Sequence, residues 1–188
     1  MIFESFYTQI RDHVPAQSVA KRIYALAEEE KWNKQQYLPD RRISMLVSGI
    51  VRSSFTSGTG EDMTAEIFHQ PGTLMFSMHE GTRLQAEQET VTLSVDLEAL
   101  KTLAEQFPEL YLAWSQLVSE RIKRIREDAD ARNWLTGCDR YRWFLEHYEG
   151  CQDLVPSRHI AAFLGMWPES LSRVKKRVRE QTRGPEAE

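Results

Sequence analysis

The sequence has no hydrophobic run approaching the roughly 18 apolar residues that a membrane helix needs, so no membrane partner is expected. It opens on Met1-Ile2-Phe3-Glu4-Ser5-Phe6, without a basic leader or a small-residue cleavage site. No signal peptide is therefore expected, and the cytoplasm is the expected compartment. Cysteine is scarce. Cys138 and Cys151 are too far apart for a Cys-x-x-Cys site and too few for a disulfide framework, so they read as ordinary reduced thiols. Histidine is also sparse: His13, His69, His79, His147 and His159 show no metal-ligand spacing and accompany no recognisable nucleophile motif. These absences argue against an enzyme, a metal site and a cofactor.

The composition that remains is that of a soluble globular protein, 41% hydrophobic and 28% charged. A length of 188 residues allows one ordinary domain or two small ones. The net charge is −4 but unevenly placed. From Pro156 to Arg183 there are seven basic residues (Arg158, Arg173, Lys175, Lys176, Arg177, Arg179 and Arg183) against Glu169 and Glu180. That window is +5, which leaves −9 on the rest of the chain. A basic end on an acidic body suits contact with a polyanion, and a solvated basic helix face is the plainer alternative.

Periodicity divides the chain. The first 37 residues read as helical, with Val14, Val19, Ile23, Leu26 and Ala27 recurring every three to four positions. A polar break at 33–42 follows. Ile43 to Val47, Ile50 to Thr56, Met63 to His69, Leu74 to Met78 and Thr90 to Val95 read as short strands, separated by turn clusters at 58–62 and Pro71-Gly72. This spacing predicts an antiparallel sandwich or barrel. Helix resumes after Asp96, a good N-cap, and stops near Phe107-Pro108. A long helix is expected from about Glu109 to Trp134. Its stripe includes Leu110, Trp114, Leu117, Val118, Arg121, Ile122 and Ile125, part of it at coiled-coil spacing. A further helix covers Asp139 to Tyr148, and 149–153 reads as a loop.

The most informative segment begins at Val155. Ser157 is placed to cap a short helix with Ile160, Ala161 and Leu164 on its apolar face. Gly165 suits a left-handed helix end, Met166 fills the turn, and Pro168 opens a second helix where no amide donor is needed. Leu171 and Val174 face inward. This is the helix-turn-helix pattern. The expected DNA-contacting set is Ser157, Arg158, Glu169, Ser170, Ser172, Arg173, Lys176 and Arg177. Glu169 and Arg173 are assigned to base edges, since arginine donates to guanine and glutamate accepts from cytosine. Lys175, Lys176, Arg177 and Arg179 are assigned mainly to phosphates.

These residues carry a resemblance. Ile160-Ala161-x-x-Leu164-Gly165-Met166-x-x-Glu169-Ser170-Leu171-Ser172-Arg173 is similar to the motif of the CRP/FNR family of bacterial regulators. Leu46-Val47-Ser48-Gly49-Ile50-Val51, Gly60-Glu61 and Pro71-Gly72 resemble that family's cyclic-nucleotide-binding β-roll. Asp96-Leu97-x-x-Leu100 and Phe107-Pro108-Glu109-Leu110 resemble the passage into its dimer helix. The resemblance spans about residues 20 to 180. It implies an α+β fold: an antiparallel β-roll (double-stranded β-helix or jelly roll) flanked by helices over 1–108, a dimerisation helix over 109–134 and a helix-turn-helix over 135–188. It also implies a homodimer on double-stranded DNA. The expected interface residues are Leu110, Trp114, Leu117, Val118, Arg121 and Ile125, with Arg121 either snorkelling or finding an acid such as Glu120 of the partner. Two departures stand out. The phosphate-binding cassette is altered: Thr73 to Ser77 and Met78 to Arg83 lack its Glu and its Arg, and Glu80 falls near the arginine position with Arg83 close by. Cyclic nucleotides are therefore not expected, while an unidentified small-molecule effector is left open. Only about ten residues, rich in charge and Gly-Pro, follow the recognition helix, so a β-hairpin wing is not expected and the end of the chain reads as frayed. A ligand-sensing or protein-interaction module whose helix-turn-helix binds a protein partner is the alternative reading.

Overall fold

A computed structural model describes residues 2–14, 16–77 and 81–183. Two helices open the chain, α1 (Ile2–Ile10) and α2 (Gln17–Leu26). Their apolar faces, with Phe6, Ile10, Val19 and Ala20 buried, meet Met45 and Leu93 on one face of a sheet.

Helix was expected to continue to residue 37, but Glu28–Trp32 is a strand, β1. The run Glu-Glu-Glu-Lys-Trp is weak strand material by propensity, and tertiary pairing overrides it. Its backbone pairs antiparallel with the strand Thr90–Asp96, from Glu28↔Ser94 to Trp32↔Thr90. The half-buried Glu30 and Trp32, and the exposed Glu28, are held individually. Arg42 donates to Glu28 and Glu30, each at 2.7 Å, and Trp32 Nε1 donates to Thr92 Oγ1 at 3.0 Å.

The roll follows as β2 (Arg42–Ser48), β3 (Val51–Thr56), β4 (Asp62–Phe68), β5 (Leu74–Met75), β6 (Arg83–Ala86) and β7 (Thr90–Asp96). These form two antiparallel sheets, ordered β1-β7-β2-β5 and β4-β3-β6. The chain passes from one sheet to the other at Gly49. Its φ is +105°, and a Cβ there would sit 2.4 Å from Thr90 Oγ1, so no other residue fits without a shift. Leu46, Val51, Phe68, Met75, Leu84 and Ala86 fill the interior between the sheets.

Two further strands differ from expectation. The strand expected over Leu74 to Met78 stops at Met75, and Met78 lies outside the described residues. The carbonyl of Phe76 accepts from Arg121 Nη1 at 2.7 Å, and its ring packs on Trp114. The backbone is thus bonded to a helix side chain rather than to a ladder. The strand β6 was missed. It lacks β-branched residues, yet Leu84 and Ala86 alternate inward as a strand requires.

Asp96 caps α3 (Leu97–Gln106) by accepting from the amides of Glu98 and Ala99, as expected. The chain then forms α4 (Glu109–Trp134), α5 (Gly137–His147), α6 (Cys151–Leu154), α7 (Ser157–Phe163) and α8 (Pro168–Arg183). The short α6 replaces part of the loop read at 149–153. It places Cys151 fully inside the core, where burial raises its thiol pKa to about 12 and leaves it unreactive. Cys138 is also a free thiol. Among the described residues no helix is long and apolar enough to cross a membrane.

Candidate nucleic-acid interface

Four helices, α5 to α8, build the C-terminal unit around one aromatic and aliphatic core. Phe144 and Tyr148 of the α5 region stack with their ring centroids 5.3 Å apart, and Phe163 of α7 meets Tyr148 edge-on at 4.9 Å. Ile160, Ala161, Leu164, Leu171 and Val178 close the core. Thr136 caps α5 by accepting from Asp139 N.

The turn between α7 and α8 has the expected chemistry. Gly165 has φ +62°, the left-handed region that glycine enters most readily. Arg140 reaches across from α5 and donates to the carbonyl of Leu164 at 2.8 Å and to that of Leu135 at 3.1 Å. Carbonyls left over at a helix end are thereby satisfied. Met166 is half-buried against the core, and Pro168 is the first residue of α8.

One local expectation is corrected. Ser157 does not cap α7: Pro156 holds that position and provides no side-chain bond. The Ser157 hydroxyl accepts from Lys175 Nζ at 2.8 Å instead. Lys175 also lies over the Tyr141 ring, and burial together with nearby Arg179 lowers its pKa. Lys175 thus pins α8 to its neighbours.

The rest of α8 is two-sided. Leu171 and Val178 point into the core while Glu169, Ser172, Arg173, Lys176 and Arg177 are exposed, with Ser170 half-buried. Arg173 makes only long contacts on its own helix, to Glu169 O at 3.4 Å and Ser170 Oγ at 3.5 Å. Lys176 approaches Glu180 at 3.9 Å, with both side chains largely solvated. Such contacts are weak and exchange readily for other partners. Seven of the eight expected residues are therefore accessible on α7 and α8, with Ser170 half-buried. Arg158 is exposed at the start of α7, where its Nε donates to His159 Nε2 at 3.0 Å. The described residues end with α8, and residues 184–188, where the frayed tail was expected, lie outside them.

The expected dimer stripe on α4 is divided, and four of its members are turned inward. Leu110 and Arg121 are buried within the chain, while Trp114 and Leu117 line its interior. Arg121 finds its acid in its own roll, not on a partner. Its Nε donates to Glu66 Oε1 at 3.0 Å and its Nη2 to Glu66 Oε2 at 2.5 Å, and its guanidinium lies 4.3 Å from the centroid of the Phe76 ring. Val118 and Ile125 remain partly exposed. They fall on a different line, Tyr111, Ser115, Val118, Ile122, Ile125 and Ala129, whose 4-3-4-3-4 spacing faces outward, with Tyr111 57% and Ile122 52% exposed.

In overall architecture the chain is similar to solved structures across most of its length. A putative transcriptional regulator of the CRP/FNR family from Eubacterium rectale superposes with TM-score 0.71 at 15% identity, covering 87% of this chain and 83% of that one. FixK2 from Bradyrhizobium japonicum gives 0.69 at 18% identity, covering 83% and 86%. The c-di-GMP-responsive global regulator CLP from Xanthomonas campestris gives 0.65 at 15% identity, covering 88% and 93%. The fold is of the CRP/FNR type. No protein-family model and no curated protein matches the chain.

Within this CRP/FNR-type fold, the polar groups that sequence reasoning missed join the helix-turn-helix to the rest of the molecule. His159 Nδ1 lies 2.9 Å from Glu87 Oε1, and Arg52 Nε donates to the same oxygen at 2.7 Å. Arg52 also meets Gln85 at 2.9 Å and Asp62 at 3.0 Å while only 2% exposed. Since Arg158 donates to Nε2, a neutral His159 carries its proton on Nδ1 and gives it to Glu87. Burial pushes the Glu87 pKa up, but the hydrogen bonds from His159 and Arg52 outweigh this and hold it below the usual value. Ile50 and Ile67 of the roll belong to the core cluster of the C-terminal unit. From α4, Asp128 accepts from Tyr148 at 2.8 Å and Arg132 lies over Phe163. Burial raises the Asp128 pKa to about 6. Polar residues on strands and helix faces gave no sign of these links, because each partner lies far away in sequence. Arg83, weighed as a stand-in for the missing cassette arginine, lies over the Tyr37 ring at 5.2 Å. Met78, His79 and Glu80 lie outside the described residues.

Proposed function

We propose that this chain is a sequence-specific DNA-binding transcription regulator that acts as a homodimer on a palindromic site, and not an enzyme. The observation that carries the reading is α8: one face is locked into the core, and the opposite face holds Glu169, Ser172, Arg173, Lys176 and Arg177 exposed and only weakly paired. Glu169 and Arg173 sit near the N-terminal end of the helix, where a recognition helix meets base edges, and the later cations suit phosphates. A CRP/FNR-type fold supports the same reading, since solved structures of that architecture include a putative transcriptional regulator of the CRP/FNR family and a c-di-GMP-responsive global regulator.

One recognition helix reads only a few base pairs, so selectivity in a genome calls for two. The outward line Tyr111, Val118, Ile122 and Ile125 offers a self-complementary seam on which two copies of α4 pair about a two-fold axis. The altered cassette supports a regulator that does not take cyclic nucleotides. The deciding experiment is recovery of bound fragments from a random DNA pool. An enriched motif with two inverted half-sites about 34–36 Å apart is the expected result. Sedimentation of Ile122→Asp beside the wild type tests the seam: loss of dimer mass is expected, and a wild type that stays monomeric at tens of micromolar refutes the dimer.

A further inference from the structure

The sheet containing β2 and β7 has two working faces. Leu46 and Thr92 turn toward the roll interior, whereas Met45, Leu93 and Val95 turn toward α1, α2, α3 and the first turns of α4. These layers pack on one another through Phe6, Val19, Ala20, Met45 and Leu93 but do not fill all the space between them. Between them lies a cavity of about 370 Å³. Ile10, Met45, Leu93, Val95, Ala104 and Trp114 are among the residues of its walls. It lies across the sheet from the roll interior, and of the altered cassette stretch Leu74 reaches its wall.

Protein interiors are close-packed and seldom leave voids much larger than a water molecule. This space is instead a cleft open at one edge, where Tyr111 and Lys101 are more than half exposed, so its apolar walls face water and an apolar occupant would recover their burial. Water gains few hydrogen bonds from such walls, whereas apolar molecules enter them readily. The volume lies in the range of small-molecule sites.

The polar groups of the lining identify the head of the occupant. Two nitrogen bases contribute, His13 and Lys101, and the described lining contains no carboxylate. Lys101 donates to Glu98 at 2.9 Å, but both side chains are more than half exposed, so exchanging that partner costs little. His13 lies 3.5 Å from Glu120, which is itself outside the lining. An aliphatic wall with a cation at its rim matches a molecule that is apolar along its length and anionic at one end.

We propose that this cavity binds an aliphatic carboxylic acid, its chain lying among Ile10, Met45, Leu93 and Trp114 and its carboxylate against Lys101. The site stands independently of DNA binding, so its failure and that of the regulator reading are separately visible. The test is calorimetric titration of the full chain with dodecanoate, below its micelle concentration, and with dodecanol. Saturable one-to-one uptake of dodecanoate is expected, with Lys101→Gln weakening the acid by about fivefold and leaving the alcohol unchanged. Ala104→Phe, which projects a ring into the cavity, is expected to abolish uptake of both. Lys101 is solvated, so Lys101→Gln keeps the fold and preserves the test even where Ala104→Phe does not fold. Absence of saturable uptake by the wild type overturns the proposal. So does an acid affinity identical in Lys101→Gln and wild type, or full binding by a folded Ala104→Phe.

Discussion

The helices α4 and α8 both looked, from their sequences, like elements with one stripe reserved for a partner. In α8 the division is clean: Leu171 and Val178 are buried, and the charges lie opposite. In α4 apolar residues surround more of the circumference, and the stripe through Leu110, Trp114, Leu117 and Arg121 goes into the chain itself. Leu110 joins the core, and Arg121 joins Glu66 and Phe76. Two arginines make the contrast compact. Arg121 is 6% exposed and bonded on three sides, whereas Arg173 is exposed and held only by long contacts. Hydrophobic spacing identifies a face, but what fills that face depends on residues far away in sequence. A charge within an apolar stripe signals a hidden partner more than a gap in an interface, because a buried guanidinium must be paired.

The largest expected effect breaks this contrast at α4. Arg121→Ala leaves the Glu66 carboxylate buried without its bidentate donor. Breaking a buried pair on one side costs about 3–5 kcal/mol. Urea denaturation should show a lower midpoint with an unchanged slope. A midpoint equal to that of the wild type would mean that solvent or Arg124, 3.6 Å from Glu66, replaces the lost donor and that α4 does not rest on the roll through this pair.

The next effect concerns the joint between α4 and the helix-turn-helix. Burial raises the Asp128 pKa from 3.8 to about 6, and the hydrogen bond from Tyr148 recovers part of that shift. A raised carboxyl binds its proton more tightly in the folded state, so its contribution to stability is full at low pH. That contribution is lost as the pH rises through the window from 3.8 to about 6. Asp128→Asn keeps an acceptor for Tyr148 and removes the titration. The variant should be more stable than the wild type at pH 7.5 by about 1–3 kcal/mol. The difference should shrink by roughly 1 kcal/mol at pH 5. Urea midpoints at the two pH values measure it, and a difference independent of pH would show that Asp128 titrates normally.

At α8 the expectation is reversed. Arg173→Ala should leave stability within about 0.5 kcal/mol of the wild type, as exposed substitutions usually do. It should cost about 1–3 kcal/mol of binding to the preferred DNA site and relax specificity at one base pair. Competition with sites altered at single positions reads this directly. An unchanged preference would remove Arg173 from base readout and leave Glu169 as the remaining candidate on that turn.

The helix-turn-helix was legible because its determinants are local. Gly165 at the turn, Pro168 at the helix start and the inward spacing of Leu171 all lie within a few residues of the structure they dictate. Most of the roll was legible for the same reason, through β-branched runs and turn clusters. The exceptions have non-local causes. Strand β1 exists because β7 offers it an edge, and β5 is cut short because Arg121 takes the carbonyl of Phe76. The Arg52–Glu87–His159 network gathers residues from β3, the segment after β6 and α7, and no spacing within the sequence announces it. Ser157 shows a subtler limit: its residue type suits a cap, yet a lysine 18 positions away takes its hydroxyl.

The smallest effect sharpens the division within α8 itself. Lys176 lies one turn beyond Ser172 and Arg173, its side chain 80% exposed and near only Glu180. A lysine in that position is a point charge suited to a phosphate, which carries no sequence information. Each phosphate neutralised releases condensed counterions, so the logarithm of affinity falls linearly with the logarithm of salt, by close to one unit per contact. Replacing Lys176 by Ala should therefore weaken binding to every sequence by a similar factor and reduce the salt slope by about one per protomer. Stability should hardly change, because the pair with Glu180 is solvated on both sides. Arg173→Ala and Lys176→Ala then give opposite signatures on one helix: the first alters which site is preferred, and the second alters how binding depends on salt. A Lys176→Ala protein with a full salt slope and a changed site preference would place Lys176 at a base edge, and the reading face of α8 would have to be rotated by about one residue toward its C-terminus.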